Sequence, residues 1–337
     1  MRSRPLAGTD LHVSEIGLSL AAALVQPRMA RDESALAELV HRALDGGVTL
    51  FDTSDAEGAG YAEELLGRLL RGRRLEVVLL TKAGYDIAGT TNLMSLVGLS
   101  EAEQRRNKAL LAEGLVVPPG RSGAPEDDPE VSRDAAGRVR PRDYRPDSLR
   151  KACEASLRRL RTDVIDLWML QAPPQRAIEH DEVRALFEPL VREGKIRHAG
   201  VTVYVEPDAD ATARAALDWG GCPVLRAPLH FGRAATGLAL TARAAATGKG
   251  FIAAPIPMTW PQPLRDRLRF LERDRPLAQS GLLWSLGRPG VAAAVPRIAG
   301  RADLEAALAA LNLTPFSNVE ETRLAGALEV DSPGPPG

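Results

Sequence analysis

Eight short, almost purely apolar runs punctuate the chain. They are "EIGLSL" from residue 15, "VTLFDT" from 48, "EVVLLTK" from 76, "VIDLWML" from 164, "IRHAGVT" from 196, "PVLRAPL" from 223, "GFIAAPI" from 250 and "GVAAAVP" from 290. Runs of this length with little polar alternation predict strands buried on both faces. Between them the apolar positions recur at helical spacing. Residues 33–45 place Leu36, Leu39, Val40, Ala43 and Leu44 on one face, with Asp32 or Ser34 as the cap and Gly46-Gly47 as the stop. Residues 147–161 repeat the pattern with Asp147 as the expected cap, and 181–193 and 208–219 repeat it again. A hairpin is expected in "SRPLAGTDLHVS", ahead of the first run.

Strands alternating with helices over 337 residues predict an α/β protein, a (β/α)8 TIM barrel with an N-terminal β-hairpin. An open doubly wound sheet also alternates, but no glycine-rich dinucleotide fingerprint follows any of the runs. Residues 1–330 are expected to form a single barrel, and the tail 331–337, "DSPGPPG", to be disordered. The connection after the third strand, residues 86–146, is far longer than usual and is expected to be an insertion over the mouth, a lid or a disordered decoration. Within it, 100–114 reads as a helix, 118–130 as coil and 131–140 as a small hairpin.

The strand ends carry the first chemical signal. The second run ends in Asp52, the third in Lys82, the fourth at Gln171 and the fifth in Thr202. Polar residues closing apolar strands lie at the C-terminal mouth, where barrel enzymes react. A lysine and an aspartate aimed inward from adjacent strands are costly unless paired, so a Lys82–Asp52 contact is expected.

Composition narrows the partners. The net charge of -1 gives no global field for nucleic acid or an anionic membrane. Cys153 and Cys222 lie far apart, form no metal-ligand spacing and suggest buried thiols in a reducing compartment, so no metal is expected. The N-terminus lacks the apolar core of a signal peptide, and no apolar stretch is long enough to span a bilayer. A cytoplasmic protein with a small-molecule substrate is the expectation.

Over nearly its whole length the chain resembles the aldo-keto reductases. The matching segments include "ALDGGVTLFDTSDAEGAGYAEELLGRLL", "VVLLTKAGYD", "SLRKACEASLRRLRTDVIDLWMLQAPP", "LVREGKIRHAGVT" and "LLWSLGRPGVAAAVPRIAGRADLEAAL". The resemblance implies the (β/α)8 barrel, a monomer, and NADP-dependent carbonyl reduction by an Asp, Tyr, Lys and His tetrad. The family's Asp and Lys match Asp52 and Lys82. Its Tyr falls on Glu57 and its His on Gln171. In the cofactor segments, the Ser-Asn pair falls on Thr202 and Val203, the Gln on Arg226, the stacking aromatic near Leu229, and the final Glu-Asn on Ala306-Ala307. Arg297 and Arg301 remain as groups able to meet a phosphate.

These replacements set the functional expectation. A neighbouring ammonium should keep Glu57 ionised, which makes it a base. Glu57 with Lys82, Asp52 and Gln171 then suits non-redox acid–base chemistry of the lyase, dehydratase, isomerase or cyclase type, with no cofactor. The alternative is a divergent NADP-dependent reductase, binding NADP(H), in which a desolvated Glu57 is the proton donor. A non-catalytic scaffold is a third reading. His230 is a second candidate acid or base near neutrality, while Trp260 and Tyr85 are candidates to line the substrate pocket. Trp168 is expected to pack outward against helices, and His41, His180 and His198 to be structural.

Overall fold

The computed structural model describes residues 1–87, 115–117, 139–204, 209–273 and 275–329. The helix read at 100–114, the coil at 118–130, most of the hairpin at 131–140 and the tail at 331–337 lie outside them. Twelve strands are described. The hairpin β1 (Ser3–Pro5) and β2 (His12–Ser14) is antiparallel, pairing Ser3 with Ser14. The barrel strands are β3 (Gly17–Ser19), β4 (Leu50–Asp52), β5 (Val78–Ala83), β8 (Ile165–Gln171), β9 (Ile196–Thr202), β10 (Val224–Ala227), β11 (Gly250–Ile256) and β12 (Val291–Pro296). They form one parallel sheet in the order β3-β4-β5-β8-β9-β10-β11-β12, with helices between them, the (β/α)8 barrel. The chain divides into two compact units, residues 1–51 with 226–337, and residues 52–225.

In the first unit the sheet is brought round on itself. Ile16, just before β3, bridges in parallel to Ala294 of β12, and the Ala294 amide donates to the Glu15 carbonyl at 2.8 Å. The Glu15 carboxylate is buried and takes both Arg2 and Arg4, and Arg4 also donates to the carbonyls of Leu286 and Val291. The helix Glu33–Asp45 starts where its sequence says it should. The Asp32 carboxylate accepts from the Ala35 amide at 3.0 Å, and Gly46 is the C-cap.

In the second unit β5, β8 and β9 are wholly or largely buried, with Lys82 opposite Met169 and Gln171 opposite Thr202. Gly200 in β9 leaves room for Met169, whose Cε would lie 2.7 Å from a Cβ there. The next helix differs from expectation. It runs Pro146–Leu160, so Asp147 lies in its first turn rather than at its cap. Proline fits that first position because its missing N–H would have no partner there. Asp143 organises the turn instead, accepting from the Arg145 amide at 3.1 Å and the Ser148 hydroxyl at 2.9 Å. The helix read at 181–193 is broken into Asp181–Ala185 and Phe187–Arg192. Pro189 explains the break, since it cannot donate to a carbonyl one turn back. Trp168 packs against the second piece, its ring 5.5 Å from Phe187.

The helix Tyr61–Leu69 approaches Pro146–Leu160 through Gly67, where a Cβ would stand 2.4 Å from the Arg159 carbonyl oxygen. Gly67→Ala is therefore expected to cost about 2–3 kcal/mol, because backbone rather than a flexible side chain must yield. Urea denaturation measures it, and a loss near zero would mean that the two helices separate freely.

The described parts of the long connection return to the end of β5. β6 (Val116–Val117) pairs antiparallel with β7 (Arg142–Asp143), and the Asp143 amide donates to the Gly84 carbonyl at 2.7 Å.

Candidate active site

The second unit brings together the catalytic residues expected at its strand ends. Asp52, Gln171 and Thr202 close β4, β8 and β9, Lys82 stands one residue before the end of β5, and all four are fully buried. The Lys82 ammonium donates to Asp52, the contact that two inward charges on adjacent strands require. Glu57 follows on the loop after β4, with its Oε1 3.9 Å from Lys82 Nζ, beyond hydrogen-bond length. That same oxygen accepts from the Ser54 hydroxyl at 3.3 Å. Gly58, Ala59 and Gly60 then turn the chain into the next helix in the left-handed region, with φ of 60°, 54° and 95°. A Cβ at Gly60 would meet the Arg159 side chain at 2.7 Å.

A further carboxyl completes the picture. Asp55 is buried on the same loop, its amide donating to the Lys82 carbonyl at 3.3 Å and its Oδ1 lacking a hydrogen-bond partner. Burial, reinforced by the nearby Glu63, holds its carboxyl well above the usual range, against the pull of Arg159 and Lys82. Glu63 is itself buried and accepts from the Thr81 hydroxyl and from Arg159 Nε, each at 2.6 Å. Among the described residues the carboxyls of Asp52, Asp55, Glu57 and Glu63 thus lie near Lys82 and Arg159, and burial of Asp55 favours its neutral form. Asp55 could have been found from the sequence: "DTSDAE" carries three acids against the single lysine of β5.

Gln171 has no acid–base role of its own. Its side-chain amide donates to the Tyr204 hydroxyl at 2.7 Å. Its backbone carbonyl, with that of Ala172, accepts from the Tyr144 hydroxyl at 2.7 and 2.8 Å. Ala172, with φ of 48°, is held left-handed, which is uncommon for a non-glycine residue, and Arg142 also donates to its carbonyl. A strained residue fastened by two buried donors fixes where strand β8 ends. Sequence reasoning missed Tyr144 and Tyr204, because neither belongs to an apolar run. The Thr202 hydroxyl contacts Met169 Sδ at 3.2 Å. Tyr85 is buried just past β5, lining a cavity.

The first unit holds the remaining candidates. Arg226 is fully buried in β10, Arg297 follows β12, and Trp260 follows β11. His230 lies 5.6 Å from the Trp260 ring, which also packs on Phe231 at 5.3 Å. Burial, with the charges of Arg233 and Arg297, lowers the His230 imidazole to about 4. It is neutral at pH 7, so the expectation that it titrates near neutrality is corrected. Arg301, at the start of its helix, is exposed and paired with Glu305 at 2.7 Å and Glu38 at 3.6 Å. Two buried N–H donors, Trp260 Nε1 and Arg233 Nε, have no acceptor among the described residues. Unsatisfied donors in a cationic setting fit an anionic, acceptor-rich ligand such as a nucleotide phosphate.

The lowered imidazole gives a signed prediction. The unfolded chain binds a proton at His230 near pH 6.5 and the folded one only near 4, so stability falls as pH drops through that window. The loss is about 3 kcal/mol. Denaturation of wild type and His230→Gln from pH 7 to 4 checks it. The variant is expected to lose less on acidification, whereas parallel curves would contradict the assignment.

A (β/α)8 barrel with a buried Asp–Lys pair at its mouth has the form of a barrel enzyme. The profile of the Aldo/keto reductase family matches residues 21–225, more than half of the sequence, and the chain belongs to that family. It is 29% identical over 182 residues to a 6-dehydroglucose reductase of Novosphingobium aromaticivorans, a match covering 52% of this chain and 44% of that protein. It is 27% identical over 206 residues to the aldo-keto reductase YhdN of Bacillus subtilis, covering 60% and 47%. The chain spans about half the length of the curated relatives it matches. Among solved structures, aldo-keto reductase AKR11C1 from Bacillus halodurans, in its holo form, superposes with a TM-score of 0.69 at 21% identity, covering 97% of this chain and 96% of that one. An aldo/keto reductase from Klebsiella pneumoniae, solved in complex with NADP and acetate, has a TM-score of 0.61 at 21% identity, covering 97% and 94%.

Two expectations are thereby corrected. The non-redox lyase, dehydratase, isomerase or cyclase reading is overturned by relatives that are reductases. The expectation of no cofactor is overturned by structural neighbours that include one in complex with NADP. Lys82, expected beside Glu57, is bonded to Asp52 and lies 3.9 Å from the Glu57 carboxylate. Among the described residues, no helix is long and apolar enough to cross a membrane.

Proposed function

We propose that the protein is an NADPH-dependent reductase of a hydroxylated carbonyl compound, with the Glu57 carboxyl as the proton donor. The burial of the carboxyls carries this reading: Glu57 is buried on the same loop as Asp55, whose carboxyl burial raises, and desolvation of that kind favours a protonated carboxyl that can serve as an acid. When bound, NADPH supplies the hydride for the carbonyl carbon. Glu57 hands its proton to the carbonyl oxygen, and the Lys82–Asp52 pair steadies the charge that the transfer leaves behind. Gln171, held by Tyr204, is the substrate-orienting amide. In the first unit Arg226, Arg297, Arg233 and Trp260 are the residues suited to the nucleotide, while Arg301 reaches a phosphate only by leaving Glu305 and Glu38. The hydroxylated substrate class is supported by the sugar-derived substrate named for the Novosphingobium relative.

Titrating NADPH by fluorescence tests the cofactor half. Micromolar binding is expected, weakened about tenfold in Arg297→Ala by loss of one charged contact. Saturable binding that ignores the substitution would remove Arg297 from the site, and no binding at all would remove the reductase reading.

A further inference from the structure

A cavity of about 890 Å3 lies in the second unit, between the residues that follow β5 and the helix Pro146–Leu160. One helix face forms a wall, with Lys151, Ala152, Ala155 and Arg158 recurring at three- and four-residue spacing. The two alanines leave the space. Lys151 and Arg158 are exposed, and neither is held in an ion pair among the described residues. Ile87 and Leu115 give the lining apolar surface, with the ring of Tyr85. The carboxyl of Asp55 also lines the cavity, 3% exposed, with an oxygen that no protein group satisfies. Arg145 and Asp143, also in the lining, are bonded to each other. Asp86, Asp147 and Glu182 add negative charge to the lining, which disfavours a multiply charged anion.

We propose that this cavity is a second ligand site for a small organic monoanion with an apolar body, its carboxylate on Lys151 and Arg158 and a hydroxyl oxygen on Asp55. Apolar lining residues, a cationic rim and a buried polar group without a partner are the ordinary ingredients of a small-molecule site. The carboxyl is held protonated by burial and by Glu63, against Arg159 and Lys82, so it can donate to that oxygen. None of the residues proposed for proton transfer or nucleotide binding lines this cavity, and binding here does not depend on the reductase reading. Asp55 nevertheless touches that machinery through its amide on the Lys82 carbonyl.

Calorimetric titration of the nucleotide-free protein with 3-phenyllactate tests the proposal. Its methyl ester removes the charge, and 3-phenylpropionate removes the hydroxyl. Phenyllactate is expected to bind, and each analogue to bind about tenfold more weakly. The double variant Lys151→Ala, Arg158→Ala changes two exposed side chains, so its fold is retained, and it is expected to lose at least about tenfold in affinity for phenyllactate but little for the ester. Asp55→Asn keeps a donor and should keep binding, whereas Asp55→Val should bind phenyllactate no better than phenylpropionate. Absence of saturable heat, or phenyllactate affinity unchanged in the double variant, overturns the proposal.

Discussion

Glu57→Gln is expected to lower the rate of carbonyl reduction by about 10²- to 10⁴-fold, the range over which a positioned proton donor acts. The amide matches the carboxyl in shape and still accepts from Ser54 as Glu57 does at 3.3 Å, so the fold and KM for NADPH should be unchanged. The loss should appear in kcat. Glu57→Tyr places a phenol, an alternative proton donor, at this position and is expected to recover activity above that of the glutamine variant, with its pH limb moved toward alkaline values. Steady-state kinetics over pH 5–9 on the three proteins decides the point. Equal kcat for wild type and Glu57→Gln would show that the proton comes from elsewhere.

Lys82→Met is expected to cost about 3–5 kcal/mol of stability at neutral pH, since it strands the fully buried Asp52 without its cation. The sign of the pH response follows. A carboxyl deprived of its partner regains stability by taking a proton, so the variant should be relatively more stable in acid than at pH 7. Adding Asp52→Leu to Lys82→Met removes the stranded charge and should recover much of the loss, because a buried ion pair is worth little against an apolar pair. Urea denaturation of the single and double variants reads this directly. Additive losses would mean that the two residues do not interact as the structure describes.

The barrel was legible because its strands are buried on both faces and therefore read as bare apolar runs, from "VTLFDT" to "GVAAAVP". The helix cap at Asp32 was legible for the same local reason, an acid one residue before a helical stripe. The start at Pro146 was misread because Asp147 resembles a cap while Asp143, four residues earlier, makes the bonds. At the site, Asp52, Lys82 and Gln171 could be placed because they stand at or next to the ends of strands. The pairing of charges around them could not, because which carboxylate Lys82 takes and how deeply Asp55 is buried are set by packing across the loop. The His230 imidazole shows the same limit, since only burial and the approach of Arg233 and Arg297 carry it away from neutrality.

The central claim is that the mouth of this barrel delivers a proton to a carbonyl oxygen while hydride arrives from a nicotinamide. Incubation of the protein with NADPH deuterated at the transferable position and a hydroxylated aldehyde such as glyceraldehyde, followed by mass spectrometry of the alcohol, tests it. The account predicts one deuterium in the product, formed by wild type and nearly abolished in Glu57→Gln. An alcohol lacking deuterium, or no alcohol under conditions where a related reductase forms it, would contradict the account.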